Sequence, residues 1–454
     1  MVARMAAAVA AVSPWQVIFG RQAWEAGVMT TLLLGGVIAF LKIQNPKSSS
    51  TPLISLRTSS LRTGKTQRWL VVSGVLLGLT FWTYQGAKLL TPVLVGVLVW
   101  VFRRDLKKMV VKGWVAWGVP MAVLVLPIAV GLLGGMGGRL EVMSIFSYKR
   151  GADEAVRLAG EVGVSSASLT YQVFHGDGVF YLRNILSRYL HHFSPRFLFF
   201  EGDWQNLRHG VPYMGQMYLV EIVFLMVGAT ALIRKPEKRD GLVWGWLLLA
   251  PVAAALTRDE VQAVRALPMV VPLALISGRG ASELMGWLKV SWWRKILGVG
   301  FAGVWVWQIS YFVDLYAIHA KFRNAIISQY GYKQAVQLVK QEEEQLDRVI
   351  FTEQYGQPYI FYLFYSGYPP AKYQQGAKLA ESEVGDVGQV ERVGQVEFRP
   401  IYWPADRNLV NSLFVGDEYS LPLSDVESAG AEVVKEIYFP DGKLAFRIVR
   451  TINN

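Results

Sequence analysis

Long apolar stretches alternate with short polar segments over the first two thirds of the chain. Each stretch comes close to the roughly 20 residues that a helix needs to cross the hydrocarbon core of a bilayer. The pattern predicts eight membrane-spanning helices, at residues 25–42, 69–85, 89–103, 113–134, 217–233, 241–256, 266–285 and 295–313. The apolar run at residues 1–12 is too short to span, and we interpret it as the end of a helix. The Ser-Pro-Trp that follows is not the small-residue cleavage site of a signal peptide.

The pattern changes near residue 315, where the long apolar stretches stop. Residues 331–345 have the spacing of an amphipathic helix, residues 348–352 that of a short strand, and residues 437–449 that of a hairpin turning at Pro-Asp-Gly. We therefore predict an all-α polytopic membrane domain at residues 1–314 and a small α+β domain at residues 315–454. The long loop at residues 135–216 is predicted to contain helices that lie on the membrane surface.

Composition supports the membrane assignment. Hydrophobic residues make up 52% of the 454-residue chain, and the mean hydropathy is +0.29. The 16 Trp and 20 Tyr fit this class, because their rings favour the headgroup level of a bilayer. The chain has no Cys, which excludes disulfides, cysteine-ligated metals and thiol catalysis.

The net charge of +12 comes from the membrane half. From Leu315 onward there are 14 Lys and Arg against 18 Asp and Glu, whereas the preceding residues have 32 against 16. The basic residues gather at 42–68, 103–112, 234–240 and just before the last span, and the alternation of spans places these loops on one side. The positive-inside rule assigns that side to the cytoplasm. We predict a multi-pass protein of the cell membrane with an extracytoplasmic C-terminal domain, and no nucleic-acid partner.

The polar clusters fall in segments that share the predicted outer face: residues 13–25, 83–88, 135–216, 257–265 and everything after Asp314. The richest stretch is 187–218, where three His, two acids and three Arg stand among aromatic residues. Ionisable groups at a membrane are costly and are usually retained for function. We therefore predict that this stretch forms one wall of an active site for a lipid-borne substrate.

This stretch supplies candidates for a general base, a metal ligand and a phosphate clamp: His191, His192, Asp203, Arg208 and His209. Neighbouring histidines on a helix point about 100° apart, so the first two are not expected to serve one ion. A divalent metal held by His209 with Glu25 or Asp203 is the one cofactor for which these residues could form a site.

Two further outer segments add candidates that also have plain structural explanations. Arg21 and Glu25 are four residues apart, which on a helix would place them on one face, and an interfacial ion pair is the alternative. Tyr84, Gln85 and Lys88 stand in the turn of a predicted helical hairpin. A snorkelling lysine with an aromatic belt explains that turn equally well.

Arg265 stands at the outer start of a predicted span, where its planar fork suits a phosphate. An ion pair with Asp259 or Glu260 is the alternative. The sequence contains no HExxH, GxSxG, Walker or dinucleotide-binding motif.

Five blocks occur in a definite order: SPWQVIFGRQAWE, FWTYQGAKLLTPVLVGVLV, FSPRFLFFEGD, RHGVPYMGQMYLVE and the R-x-L-P start of a later span. Together they resemble bacterial membrane glycosyltransferases of the GT-C class, which are related to protein O-mannosyltransferases and to the transferase that adds aminoarabinose to lipid A. The resemblance covers about residues 1–314. YGYKQAVQLV and PYIFYLFY also resemble the outer domain of bacterial members.

The resemblance implies transfer of a hexose or pentose from a polyprenyl-phosphate carrier to a protein, lipid or glycan acceptor on the outer face. In such enzymes an outer-loop acid activates the acceptor or holds a metal, and basic side chains hold the lipid phosphate. Carried onto this sequence, the catalytic residues are Glu25 and His209, the donor-phosphate residues are Lys88, Arg208 and Arg265, and the substrate-binding residues are Arg21, Tyr84, Gln85, Asp203 and Tyr213. Lys88 stands where an Arg is more usual, so it would act only as a point charge.

The relatives have a first span and an acid-bearing loop before the first block, whereas this sequence starts almost at that block. We therefore expect a truncated N-terminus that lacks the principal catalytic Asp, with inactivity as the consequence unless Glu25 replaces it. A degenerate, inactive member is the alternative. Two other classes stay open: a lipid-linked sugar transporter or flippase, for which polar residues at mid-membrane would be expected, and a non-catalytic membrane scaffold that presents its C-terminal domain to partners.

Overall fold

The computed structural model of the protein describes residues 1–44, 60–134, 143–147, 150–288, 291–376, 379–380 and 389–451. The chain divides into two compact units, Met1–Phe312 and Val313–Asn454. The first is helical over its described residues, and the second combines helices with a sheet. Most of the predicted basic loop at 42–68 and part of the predicted outer loop, at 135–142 and 148–149, lie outside the described residues.

The helices of the first unit follow the apolar stretches of the sequence. They are α1 (Val2–Val12), α2 (Pro14–Arg21), α3 (Glu25–Gln44), α4 (Ser60–Thr83), α5 (Ala87–Val101), α6 (Arg103–Leu106), α7 (Val111–Leu133), α8 (Ala152–Val162), α9 (Leu169–His175), α10 (Asp177–His191), α11 (Glu221–Arg234), α12 (Asp240–Leu249), α13 (Val252–Ala255), α14 (Ala263–Ala266), α15 (Val270–Leu288) and α16 (Trp292–Asp314). The described helical elements of this unit are completed by a π-turn at Arg196–Phe200 and by 3-10 turns at Ile145–Ser147, Leu207–His209 and Leu267–Met269. Each of the eight predicted spans therefore coincides with helix, and α8 to α10 lie in the predicted outer loop.

Several of these helices are long and apolar enough to cross a membrane. Four stretches qualify among the described residues: Glu25–Ile43, Val111–Leu133, Ala263–Leu288 and Trp292–Arg323. The pair of α1 and α2, bent by 57°, qualifies as a fifth when it is taken as one broken span. The prediction of a mostly helical chain with several helices able to span a membrane is thus confirmed, while the number eight stays a prediction.

The chain turns sharply twice before α3. Pro14 begins α2, since proline lacks an amide N–H and suits the first turn of a helix. That helix ends at Arg21, and Ala23 has a φ of 52°, a left-handed conformation that interrupts a right-handed helix. The prediction that Arg21 and Glu25 share one helical face is therefore wrong, because Arg21 ends α2 and Glu25 begins α3.

Small residues bring the backbones of α11 and α15 together. A Cβ atom at Gly228 would overlap the carbonyl of Ile276, and one at Gly280 would overlap the carbonyl of Phe224. Helices in a membrane associate through such close packing, because moving from the apolar lipid to another helix brings no hydrophobic gain. We infer that α11 and α15 form a rigid pair, and α1 packs along the same α15.

The second unit is built on a mixed sheet. Its helices are α17 (Ala320–Arg323), α18 (Tyr332–Glu342), α19 (Pro358–Ser366), α20 (Pro370–Gly376), α21 (Trp403–Asp406) and α22 (Leu423–Ser428). Its strands are β1 (Arg348–Phe351), β2 (Leu379–Ala380), β3 (Gln389–Val390), β4 (Arg392–Val393), β5 (Val396–Phe398), β6 (Ser412–Gly416), β7 (Glu432–Tyr438) and β8 (Leu444–Thr451). Six strands form one sheet in the order β4-β5-β1-β6-β8-β7, with β1 parallel to both neighbours and the other pairs antiparallel. The predicted helix, strand and hairpin are α18, β1 and the β7–β8 pair, so the predicted mixture of helices and strands is confirmed.

Candidate functional site

Three segments from distant parts of the chain meet in the first unit: residues 13–25, 191–217 and 257–265. We name this region the junction. The Trp15 amide donates to the Gln216 carbonyl at 3.3 Å, and its indole Nε1 donates to the Ala263 carbonyl at 3.1 Å. The Gln22 Nε2 donates to the Arg208 carbonyl at 3.0 Å. Segments that the sequence analysis placed on one outer face are therefore in direct contact.

Asp203 lies at the centre of the junction and is only 1% exposed. Its Oδ1 accepts a hydrogen bond from the backbone amide of Asn206 at 3.0 Å. Its Oδ2 accepts two hydrogen bonds, one from Nδ1 of His209 and one from the backbone amide of Ala263, each at 2.8 Å. Both oxygens are thus occupied by groups from two segments, which favours a positioning role for Asp203 over the substrate-binding role predicted from the resemblance.

His209 is oriented by this carboxylate. A carboxylate only accepts, so in the neutral imidazole the bond to Asp203 places the proton on Nδ1 and the lone pair on Nε2. The ring packs against Trp24 at 5.3 Å and Phe19 at 5.8 Å between centroids, and the residue is 5% exposed. A histidine that acts as a general base needs such a neighbouring group to hold its ring in the correct orientation.

His192 has a different environment from His209. Its Nδ1 donates to the Arg188 carbonyl at 2.7 Å, and its Nε2 accepts the Gln262 amide at 3.1 Å. Burial lowers its pKa from 6.5 to about 4; the Arg188 carbonyl and the Asp203 charge act in the opposite direction, and His191 reinforces the effect. Both ring nitrogens are in use, so His192 serves as a neutral clamp between α10 and the 257–265 segment and not as a base or metal ligand.

The His192 clamp predicts that the junction loosens in acid. The opened or unfolded state takes up a proton as the pH falls below 6.5, whereas the folded state resists until about 4. Stability is therefore fully present above 6.5 and is lost across that window, by up to roughly 3 kcal/mol. Hydrogen exchange of the Gln262 amide, corrected for its intrinsic rate, should be faster at pH 5 than at pH 7. The variant His192→Gln, which does not titrate, should show no such difference, and an equal pH effect in both proteins would contradict the assignment.

The adjacent His191 faces another partner, as the sequence analysis expected for neighbouring histidines. Its Nδ1 lies 2.9 Å from Oε1 of Glu260, close enough for an ion pair when the ring is protonated, although the two groups lack hydrogen-bond alignment. The Glu260 amide donates to Oε1 of Gln205 at 2.6 Å. The 257–265 segment is therefore tied to the 191–217 segment along much of its length.

Arg265 is held by its own loop. Its Nη1 donates to Oδ2 of Asp259 at 2.9 Å and to Oγ1 of Thr257 at 3.1 Å, and its side chain is 15% exposed. The ion pair that the sequence analysis gave as an alternative is therefore present. Both bonds use Nη1, so Nε and Nη2 have no partner in the described part of the chain. The guanidinium is oriented and still has donors for an oxyanion.

A tight turn brings the end of the 191–217 segment back onto its start. A Cβ atom at Gly215 would overlap the Phe199 amide and the Leu198 carbonyl, so only glycine fits there. Beyond it, the Met217 amide donates to the Leu198 carbonyl at 2.7 Å, and Gln216 Nε2 donates to the His209 carbonyl at 3.4 Å. The loop that bears Asp203 and His209 is thus closed at its base.

Three of the predicted residues lie at the surface of the junction. Glu25 is exposed at the start of α3 and directly follows Trp24, whose ring contacts His209. The side chain of Arg208 is exposed, and neither it nor Glu25 has a partner in the described residues. Tyr213 is 63% exposed. An acid in the first turn also stabilises a helix, which is the structural alternative for Glu25.

The remaining predicted residues lie beside the junction. Arg21 is exposed at the end of α2. Tyr84 and Gln85 belong to the turn between α4 and α5, and Lys88 lies in the first turn of α5. A Cβ atom at Gly86 in that turn would be 3.9 Å from the Cβ of Ala253 in α13. This hairpin therefore borders the segment that leads into Thr257. Lys88 is half-buried, and its ammonium has no partner in the described chain.

The metal alternative receives no support from the geometry. Nowhere in the described part of the chain are three or more His, Asp or Glu side chains arranged to hold an ion. Asp203 already occupies Nδ1 of His209, which leaves only Nε2 for a metal.

No protein-family model matches the chain, and no curated protein matches it. The resemblance to GT-C glycosyltransferases therefore stays a prediction. What supports a function is the arrangement of the junction itself.

The sequence analysis missed several residues that build this arrangement. Trp15 and Gln216 join the segments. Gln262 donates its backbone amide to His192 and its side-chain Nε2 to Asp259, and so links the two. Glu221 was also missed: it is wholly buried beside Ser13, and neither carboxyl oxygen has a hydrogen-bond partner in the described chain. An ionisable side chain near an apolar helix was the available signal for Glu221.

Proposed function

We propose that the protein is a membrane glycosyltransferase that moves a sugar from a polyprenyl-phosphate carrier to an acceptor on the outer face of the cell membrane. The observation that supports it most is the junction, where three distant polar segments meet around the Asp203–His209 pair. Among the described residues Glu25 and Arg208 have no side-chain partner there, and Arg265 uses only Nη1. These groups are of the two kinds that such a transfer requires: an acid or base, and basic groups.

The reaction would be a displacement at the anomeric carbon of the sugar. The acceptor hydroxyl attacks that carbon, its proton passes to the Glu25 carboxylate, and the bond between the carbon and the phosphate oxygen breaks. His209, with its lone pair on Nε2, is the second group able to take the proton. The glycosidic bond forms as the polyprenyl phosphate leaves with its extra negative charge.

The basic groups act where that charge develops. Arg265 offers Nε and Nη2 from a guanidinium that Asp259 and Thr257 already orient. Arg208 and Lys88 add charges with no acidic partner in the described chain. We assign these three residues to the donor phosphate, and Arg21, Tyr84, Gln85 and Tyr213 to substrate binding.

We also propose how the chain crosses the membrane. Eight spans would place the basic loops in the cytoplasm and the junction, together with the second unit, outside. The clustering of the charged candidates in segments of one predicted face also favours a transferase over a transporter, in which polar residues would line a mid-membrane path.

The test is transfer by the full chain reconstituted in liposomes. The probes are polyprenyl phosphates that carry radiolabelled mannose, glucose or aminoarabinose, with peptide and lipid A acceptors. The expected result is label that leaves the carrier for an acceptor, with Glu25→Gln reducing it. Label that crosses the bilayer while staying on its lipid would indicate a flippase instead, and label that neither leaves nor crosses with any donor would contradict the proposal.

A further inference from the structure

A cavity lies in the first unit, lined by residues other than those of the junction. It has a volume of about 390 Å³ and lies among α1, α11, α15 and α16. Its walls are apolar, and its aromatic members are Phe224, Trp287, Phe301 and Trp305. The volume is that of a ligand pocket, but among the described residues that line it there is no charged group to hold a polar ligand.

Aromatic contacts between α11 and α16 border the cavity. Phe224 of α11 touches Phe301 and Trp305 of α16 at ring-centroid distances of 5.5 and 6.4 Å. Small residues, Gly298 and Ala302, face the space between these contacts. The large aromatic side chains therefore hold the two helices apart. The small residues between these contacts leave room for an acyl chain.

The part of α16 from Arg294 to Trp305, the last lining residue on this helix, is about as long as one leaflet of a bilayer is thick. Arg294 and Trp305 are eleven residues apart on α16, which corresponds to about 16 Å along the helix. Half of a hydrocarbon core of about 30 Å is about 15 Å. If Arg294 lies at the headgroup level, Trp305 lies near the middle of the membrane.

Cations stand at the mouth of the cavity. The Arg294 guanidinium lies over the ring of Trp287 at 4.4 Å and donates to the Trp287 carbonyl at 3.5 Å. Lys295 follows and is exposed, and neither side chain has an acidic partner in the described residues. Trp292 and Trp293, 59% and 64% exposed, are aromatic residues of the kind that lies at the headgroup level.

We propose that this cavity binds one anionic phospholipid of the cytoplasmic leaflet, with an acyl chain between α1, α15 and α16 and its phosphate at Arg294 and Lys295. The charge of the mouth fits the negative headgroups of that leaflet, and basic pockets between spans on the cytoplasmic side are where such lipids bind. The inference depends on the predicted orientation of the membrane half but not on the transferase reaction, because none of these residues belongs to the junction.

The test is native mass spectrometry of the full chain in detergent, with added phosphatidylglycerol or phosphatidylcholine. One retained phosphatidylglycerol per chain is expected, at a preference of about tenfold or more over phosphatidylcholine, since each nearby cation contributes roughly fivefold. Ala302→Trp should fill the cavity and remove the bound lipid. Val299→Trp, on the same helix but outside the cavity lining and 74% exposed, is its control and should bind as the parent does.

A second pair of variants tests the headgroup. Arg294→Gln with Lys295→Gln should abolish the preference for phosphatidylglycerol, while Lys112→Gln, a cation at the start of α7, should leave it intact. These variants decide the question even if Ala302→Trp does not fold. Equal binding of both lipids by the parent chain, unchanged binding in Ala302→Trp, or a lipid-free dimer with the cavity covered by a second copy would each overturn the proposal.

Discussion

Replacing Arg265 with alanine is expected to lower the rate of sugar transfer by about 100-fold or more while the protein stays folded in the membrane. The guanidinium is fixed by Asp259 and Thr257 through Nη1 alone, so its other donors are aimed without being used. A group oriented in advance stabilises developing charge without reorganising at the moment of reaction, which is why its loss falls on the rate.

Two variants in the same loop sharpen this prediction. Arg258→Ala removes the same charge from an exposed side chain seven residues earlier and should retain transfer. Arg265→Lys keeps the charge but loses the planar fork, and it should recover only part of the rate. Undiminished turnover in Arg265→Ala would remove the phosphate assignment, as would an equal loss in Arg258→Ala.

The ion pair with Asp259 gives Arg265 a second explanation, in which it only stabilises its loop. In that case Arg265→Ala and Asp259→Ala would lower the unfolding temperature by similar amounts, and the double variant would lower it little further. Transfer at a temperature where all the proteins are folded would then be unaffected. The phosphate assignment instead requires that Arg265→Ala lose transfer at that temperature while Asp259→Asn, which leaves the guanidinium in place, loses less.

Local patterns were enough to predict several elements of the second unit. The helix α18, the strand β1 and the turn between β7 and β8 each depend on residues close in sequence, namely an amphipathic period, a short apolar run and Pro-Asp-Gly. The parallel pairing of β1 with β5 and β6 was not predicted. Such pairing joins segments more than forty residues apart, and no local signal marks the partner.

In the first unit, membrane topology predicted which segments would come together but not how. Counting spans placed residues 13–25, 187–218 and 257–265 on one face, and their contacts agree with that grouping. The helix break at Ala23 was missed, because alanine ordinarily favours a helix and only the packing of the loop imposes a φ of 52°. The different roles of His192 and His209 were also beyond the sequence, since they depend on hydrogen bonds to residues 70 and 6 positions away.

Replacing Asp203 with asparagine is expected to destabilise the junction by about 2–4 kcal/mol, the largest stability effect among the residues discussed. The carboxylate accepts four hydrogen bonds from N–H groups, two from Asn206 and one each from His209 and Ala263. An amide of the same shape has only one oxygen, so its NH2 must face one or two of these donors. A buried donor left unpaired in this way loses a charge-assisted bond and is also kept from water.

The unfolding temperature in detergent and the hydrogen exchange of the Asn206 and Ala263 amides measure this effect. Both amides should exchange faster in Asp203→Asn, because the two segments they belong to are then joined less firmly. Asp153→Asn, an equal substitution at an exposed position in the first turn of α8, removes only a weak interaction with the helix end and should change both measurements much less. If Asp203→Asn kept the parent unfolding temperature and exchange rates, the contribution to stability inferred from the burial of Asp203 would be wrong. Loss of transfer in that variant would then mean that Asp203 acts in the reaction, through His209 or directly.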